Sequence, residues 1–166
     1  PDTTSPDTDT DIDIDTDTEM TDEALFRGAA DGSLDADAAL AKIRDRGGFP
    51  VATTSGTWLF GCFCGDGNWY LAGDHDDWSG TALTRSGELH WAEVTIPSAD
   101  GSRYKFTDLD STWSADPEAR RYGYDEYGEY SLVRASTAHL ERWVGISHGG
   151  LLPRDLVVWV PDGGVY

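Results

Sequence analysis

From Val51 onward, hydrophobic and polar residues alternate with a period of two, which is typical of β-strands that bury one face. Strands are predicted at 57–63, 69–72, 89–96, 103–109 and 130–135. Turn-forming residues separate them, among them Asp66-Gly67-Asn68 and Ser86-Gly87. Short strands at such regular spacing predict an all-β fold, an antiparallel β-sandwich.

Residues 21–50 have no such alternation and are expected to form a short helical hairpin. Thr21 is placed to cap a first helix, and Ser33 is expected to cap a second one. Leu40 and Ile43 supply an apolar edge to the second helix, which Gly47-Gly48 should end. We therefore expect a helical hairpin at 21–50 packed beside a sandwich at 51–137.

Residues 1–20 alternate Asp with Thr or Ile and contain no basic residue. Such dense like charge with few apolar residues predicts a disordered acidic tether. Calcium ligation by the alternating carboxylates is the other interpretation. An EF-hand loop needs a glycine at its sharp turn and a distal glutamate, and this segment has neither at the required place.

The charge of the chain excludes several partners. The formal net charge is −19, and ten of the 31 acidic residues lie within residues 1–23. The remaining 21 still exceed the 12 basic residues, so binding to nucleic acids or anionic membranes is not expected. No apolar run approaches the roughly 20 residues of a transmembrane helix. The chain opens on Pro1 instead of Met, and we expect that an upstream segment was removed.

The sequence contains no motif that supports a catalytic function well. Residues 145–149 match the Gly-x-Ser-x-Gly pattern around Ser147, but no helix start follows and no histidine lies beyond His148. The four histidines have no metal-ligand spacing, and no glycine-rich phosphate loop follows a strand. We therefore predict no catalytic residue, no metal and no cofactor in this chain.

Cys62 and Cys64 are the only cysteines. In an extended strand both would point to the same face about 7 Å apart, too far for an unstrained disulfide. Buried thiols are the favoured interpretation. A disulfide across a tight loop and a metal site are the alternatives.

Four segments in this order carry a family resemblance. They are Gly-Asp-His-Asp-Asp-Trp at 73–78, Tyr-Lys-Phe at 104–106, Trp-Ser-Ala-Asp-Pro at 113–117, and Tyr-Gly-Glu-Tyr-Ser-Leu-Val at 127–133. Together they resemble the glycogen- and starch-binding modules of the isoamylase N-terminal type, including the glycogen-binding domain of the AMP-activated protein kinase β subunit. The resemblance implies an immunoglobulin-like, early-set β-sandwich that binds α-glucan without catalysis.

The resemblance also implies a set of sugar-binding residues. Carried over by position, Trp78 and Trp113 would stack on glucose rings and Lys105 would donate to sugar hydroxyls. Tyr127 stands in the place of an aliphatic residue and Ser131 in that of an asparagine. The implied partner is thus a polysaccharide or oligosaccharide.

Two departures from the family pattern leave an alternative open. Ser131 has no amide, and His75 and Asp76 replace the usual Phe-Asn. The alternative is a structural or substrate-gating module without glycan affinity. In that case Trp78 and Trp113 would pack in the core or against the downstream domain. Two solvent-facing tryptophans beside an exposed lysine would favour sugar binding, and buried ones would favour the structural module.

A second resemblance covers the end of the chain. Residues 139–143 and 152–161 are similar to the entry into esterases of the enterochelin-esterase and feruloyl-esterase kind, in which a sandwich precedes an α/β-hydrolase domain. It implies that 138–166 are a linker and the first strand of a downstream hydrolase domain. The acidic leader resembles spacers of bacterial surface lipoproteins, so an extracellular, cell-surface or periplasmic location is expected.

Overall fold

The computed structural model describes residues 19–135 and the backbone of two later strands, 141–147 and 155–161. Two helices come first, α1 at Asp22–Asp31 and α2 at Ala36–Asp45. The strands of the described residues are β1 Val51–Ala52, β2 Trp58–Cys62, β3 Tyr70–Gly73, β4 Thr81–Ala82, β5 Thr84–Ser86, β6 Leu89–Val94, β7 Asp100–Thr107, β8 Trp113–Ser114, β9 Arg121–Asp125, β10 Gly128–Arg134, β11 Glu141–Ser147 and β12 Asp155–Pro161.

The strands form two main antiparallel sheets, as the alternation of the sequence predicts. The first sheet has the order β1-β2-β6-β5. The second has the order β4-β3-β7-β10-β9, and β8 also pairs with β7. The fold is therefore mostly β, with two antiparallel sheets and two short helices, as in an all-β sandwich.

The main core lies between the two sheets. Trp58 and Phe60 of the first sheet meet Leu71, Tyr104 and Phe106 of the second, and all five are buried. The rings of Phe60 and Tyr104 meet edge to face with centroids 4.9 Å apart. Aromatic pairs of this geometry add to the stabilisation that burial of their area provides.

The helical hairpin covers the other side of the first sheet. Leu59 and Leu89 alternate with the core-facing residues of β2 and β6, so they point to the opposite face. There they pack against Phe26, Leu40 and Ile43 of the helices. The hairpin predicted at 21–50 is thus the outer layer of a three-layer arrangement.

One helix cap is as predicted and the other differs. The Thr21 side chain accepts a 3.2 Å hydrogen bond from the Ala24 amide, as expected for the cap of α1. The cap of α2 is Asp35, which accepts a 2.9 Å bond from Ala38, so the prediction of Ser33 was wrong. Ser33 lies in the turn before α2, where its amide donates to Asp31.

The cysteines form a disulfide, so the prediction of buried thiols was wrong. Strand β2 ends at Cys62, and the Cα atoms of Cys62 and Cys64 are 5.3 Å apart. The estimate of about 7 Å assumed an extended strand through both cysteines. The chain leaves the extended conformation before Cys64, which brings the two sulfurs within bonding distance.

The predicted strand near the end of the chain is present as Asp155–Pro161, but its partner was not predicted. It pairs antiparallel with Glu141–Ser147, in the segment expected to be a linker. Residues 1–18 of the tether predicted at 1–20, with the suggested calcium ligands, lie outside the described residues, as do 136–140, 148–154 and 162–166. Glu19 and Met20, the last two residues of that range, both accept hydrogen bonds from Arg46. Within the described part of the chain, no helix is long and apolar enough to span a membrane.

Candidate ligand-binding face

Strand β7 separates the candidate site from the core. Tyr104 and Phe106 point into the core, so the alternating residues Arg103, Lys105 and Thr107 point away from it. We call the side of the second sheet that carries these three residues the outer face. It is here that the structure places most of the residues predicted to bind sugar.

Lys105 is the central polar group of the outer face. Its side chain is only 5% exposed, although it points away from the core. The Nζ atom donates a 3.0 Å hydrogen bond to the carbonyl oxygen of Tyr127, its one hydrogen-bond partner within residues 19–135. An ammonium group has three N–H donors, and this bond uses one of them.

Two exposed rings lie at positions adjoining Lys105. Trp113 in β8 pairs with Thr107, which is two residues from Lys105 on the same face of β7. Its side chain is 43% exposed, and that of Tyr127 is 81% exposed. The structure therefore brings Lys105, Trp113 and Tyr127 into one neighbourhood and leaves both rings accessible.

Trp78 has a different environment, because an arginine covers its ring. The Arg103 guanidinium carbon lies 5.6 Å from the Trp78 ring centroid and 5.8 Å from that of Tyr130. The guanidinium also forms a 2.9 Å ion pair with Asp74. Cation–π contacts of this kind fix the ring and occupy one of its faces.

Burial opposes the ionisation of Asp74, but hydrogen bonds from the side chain and amide of Arg103 outweigh it and lower the pKa of the carboxyl. Asp74 is thus held as a carboxylate at neutral pH. The sequence-based site omitted Arg103, Asp74 and Tyr130. The available signal was the i, i+2 spacing of Arg103 and Lys105, which places both on one face of a strand.

The loop that carries Trp78 is built around Asp76. Its carboxylate accepts hydrogen bonds from the Gly73 amide at 3.0 Å and the Gly80 amide at 2.9 Å. These bonds hold a loop in which Asp77 and Trp78 have φ values of 53° and 63°, in the left-handed region. The aspartate that departs from the family pattern therefore has a structural role.

The side chain of His75 also contacts a residue near this loop and not the groups of the outer face. Its Nε2 atom lies 3.2 Å from the Thr81 hydroxyl. Burial lowers the pKa of its ring, and the nearby carboxylates of Asp76 and Asp74 only partly offset this. His75 is therefore neutral at pH 7.

Ser131 does not lie with the other four predicted residues. It is fully buried on the core side of β10, and its hydroxyl accepts a 2.7 Å hydrogen bond from the Asp116 amide. Asp116 in turn accepts a 2.8 Å bond from the Tyr104 hydroxyl. Burial raises the pKa of Asp116 to about 7. Ser131 and Asp116 thus hold the turn after β8 against the core, where a ligand on the outer face does not reach Ser131.

The chain as a whole matches no model of a known protein family, and no curated protein has a significantly similar sequence.

Within the described residues, no group of three or more His, Cys, Asp or Glu side chains is arranged to hold a metal ion. The outer face carries three kinds of group that could contact a ligand. These are exposed aromatic rings, a lysine ammonium, and an arginine paired with a carboxylate.

Proposed function

We propose that this protein is a non-catalytic carbohydrate-binding module that binds α-glucan on the outer face of its second sheet. One observation carries the proposal. A nearly buried Lys105 points away from the core and donates one hydrogen bond to the backbone carbonyl of Tyr127, and its neighbour on the same face of β7, Thr107, pairs with exposed Trp113. Of the three features that distinguish this function from a purely structural module, exposed Trp113 supports it, whereas Lys105 is buried and Trp78 is only partly exposed.

The chemistry of these groups suits a neutral sugar. Aromatic faces pack well against the C–H faces of pyranose rings, and such rings keep their hydroxyls directed to polar neighbours. Lys105 would donate to one of those hydroxyls. Because the ligand is uncharged, binding should depend little on ionic strength, in spite of the acidic composition of the chain.

The four outer-face residues would have unequal roles. Trp113 and Tyr127 would stack on the sugar, since their rings are exposed. Trp78 would form a side wall, because Arg103 covers one face of its ring. With Ser131 in the core, no amide replaces the asparagine of the family pattern. Polar recognition would therefore fall mainly to Lys105, and we expect weak affinity.

We further propose that the module is accessory to a downstream hydrolase and works outside the cytoplasm. The similarity of 139–143 and 152–161 to the entry into esterases supports such a partner domain. The Cys62–Cys64 disulfide supports an oxidising compartment, where disulfides persist. The coding sequence beyond residue 166 tests the first part, because it should encode a Ser, an acid and a His of an α/β-hydrolase in that order.

Isothermal titration calorimetry with maltoheptaose tests glycan binding. The variants are Trp113→Ala and, as a matched control, Phe63→Ala, because Phe63 is also 43% exposed but follows β2 of the first sheet. Loss of one stacking ring should weaken binding at least about tenfold, or roughly 1.4 kcal/mol. Phe63→Ala should bind like the wild type. Absence of binding by folded wild type, or equal loss in both variants, would leave the structural module as the better account.

A further inference from the structure

A cavity, separate from the outer face, lies where the chain passes from β4 in one sheet to β5 in the other. Its volume is about 330 Å³, at the small end of the range for ligand pockets. Trp69, Tyr70 and Leu83 are among the apolar or aromatic residues that line it. Arg85 and His90 are among its polar residues. None of the five residues predicted to bind sugar lines this cavity.

Two of its polar side chains are neighbours on one face of the first sheet. Arg85 in β5 and His90 in β6 are direct cross-strand partners, so their side chains lie side by side. Leu89, the residue before His90, packs against the helical layer. By alternation, His90 and Arg85 point the other way, towards the space between the sheets where the cavity opens.

His90 is the most unusual group of the cavity. It is 1% exposed, and neither of its ring nitrogens has a hydrogen-bond partner among the described residues. An unpaired buried polar group destabilises a fold by about 1–3 kcal/mol. A histidine ring has at least one N–H donor in either charge state, so a hydrogen-bond acceptor in the cavity would satisfy it.

Arg85 adds a positive charge beside that donor. Its guanidinium forms a 2.7 Å ion pair with Asp66, but the Asp66 side chain is 94% exposed. Ion pairs with so exposed a carboxylate are weak and readily exchange partners. The residues described as lining the cavity include no Asp or Glu, in a chain with 31 of them. The Arg85 Nε atom also donates a 2.9 Å hydrogen bond to the Gly87 carbonyl. A ligand carboxylate would therefore bind the guanidinium in place of exposed Asp66 and meet no carboxylate from the lining residues.

We propose that this cavity binds a small monocarboxylate with a flat apolar body. The carboxylate would accept hydrogen bonds from the Arg85 guanidinium and the His90 ring, which are of the charge-assisted kind. The flat body would lie against Trp69 and Leu83. The site is independent of the glycan-binding face.

Saturation-transfer NMR with benzoate as the probe tests the proposal on the wild-type chain. Benzamide serves as the matched neutral ligand, because it has the same ring without the charge. Arg85→Met removes the guanidinium from a half-exposed side chain and should not impair folding. Arg44→Met is the matched control, since Arg44 is equally exposed and also ion-paired, but lies in α2 and bonds Glu118.

We expect saturable binding of benzoate that is at least about tenfold tighter than that of benzamide, the effect of one charge-assisted pair. Arg85→Met should remove this preference, and Arg44→Met should retain it. Benzoate should also shift the ring signals of His90. The proposal is overturned if the wild type does not bind benzoate at about 10 mM, if benzamide binds equally well, or if Arg85→Met binds benzoate like the wild type.

Discussion

The Tyr104 hydroxyl donates a 2.8 Å hydrogen bond to the Asp116 carboxylate inside the core, behind the outer face. The other carboxylate oxygen accepts a 2.8 Å bond from the Glu118 amide, and the Asp116 amide donates to Ser131. This network anchors the turn that follows β8. The aspartate of the Trp-x-x-Asp-Pro motif therefore positions Trp113 and does not bind ligand itself.

The buried Asp116 should make stability depend on pH. Burial raises its folded-state pKa to about 7, above the value of 3.8 expected in the unfolded chain. The folded state therefore binds the proton on Asp116 more tightly than the unfolded state does. This difference stabilises the fold fully below about pH 4, and the stabilisation is lost as the pH rises through about 7. Over this pH range, the free energy of unfolding should decrease by an amount on the order of 2–4 kcal/mol.

The contribution of Asp116 to the pH dependence of stability can be measured by denaturant unfolding of wild type and Asp116→Asn at several pH values between about 4 and 8. The comparison is needed because His75, whose pKa is lowered by burial, acts in the opposite direction. The advantage of wild type over Asp116→Asn should shrink as the pH rises. Parallel pH profiles for the two proteins would show that Asp116 titrates normally.

The half-buried ion pair between Asp74 and Arg103 should stabilise the fold more than an exposed ion pair of the same type does. Asp74→Asn removes the carboxylate that binds the guanidinium and amide of Arg103, and should lower the free energy of unfolding by about 1–2 kcal/mol. Asp66→Asn is the control, because Asp66 also binds an arginine but is almost fully exposed. We expect no measurable change there. Equal losses in urea unfolding would contradict the assigned role of Asp74.

Gly73 at the end of β3 should not tolerate a side chain. A Cβ atom there would lie 2.2 Å from the backbone oxygen of Arg103, which cannot move without displacing β7. Gly73→Ala should therefore destabilise the fold by roughly 3 kcal/mol or more. Gly56→Ala meets no atom within 4 Å and is strained only by its φ of 88°, so about 1 kcal/mol is expected. Thermal unfolding of both variants tests the ranking.

The disulfide should contribute little to stability. Cys62 and Cys64 are two positions apart, so the bond closes a very short loop and restricts the unfolded chain only slightly. The chain-entropy relation gives about 1.5 kcal/mol for a loop of about three residues. Unfolding of Cys62→Ser/Cys64→Ser should show a loss of this size. A loss of about 4 kcal/mol would mean that the disulfide supports the fold in another way.

Strands with a strong apolar period were predictable from the sequence. Trp58–Cys62, Tyr70–Gly73 and Leu89–Val94 agree with the predicted ranges to within about two residues at each end. Each has apolar residues that face a core, and the pattern reports that burial directly.

Strands stabilised mainly by pairing were not predictable. Arg121–Asp125 reads Arg-Tyr-Gly-Tyr-Asp, whose glycine and aspartate are typical of turns. It is a strand because it pairs with β10 along its length. Thr81–Ala82 and Trp113–Ser114 are too short to show any period. Tertiary context decides such segments.

The candidate site was predictable as a set of residue types, and less so as a surface. Trp113 and Tyr127 are exposed and Lys105 is buried, and the sugar-binding roles of all three stay predictions. The placement of Ser131 depends on the register of β10, because a shift of one residue exchanges the two faces of a strand. The observed register buries Ser131 and leaves Tyr130 under Arg103 on the outer face.

Chemical-shift mapping of the ¹⁵N-labelled protein during titration with maltoheptaose tests the glycan-binding face most directly. We predict saturable shifts at the amides of Lys105 and Tyr127 and at the indole of Trp113. The indole of Trp58, buried between the sheets, should not shift and serves as the internal reference. Shifts confined to other surfaces, or none at about 10 mM ligand, would contradict glycan binding on the outer face.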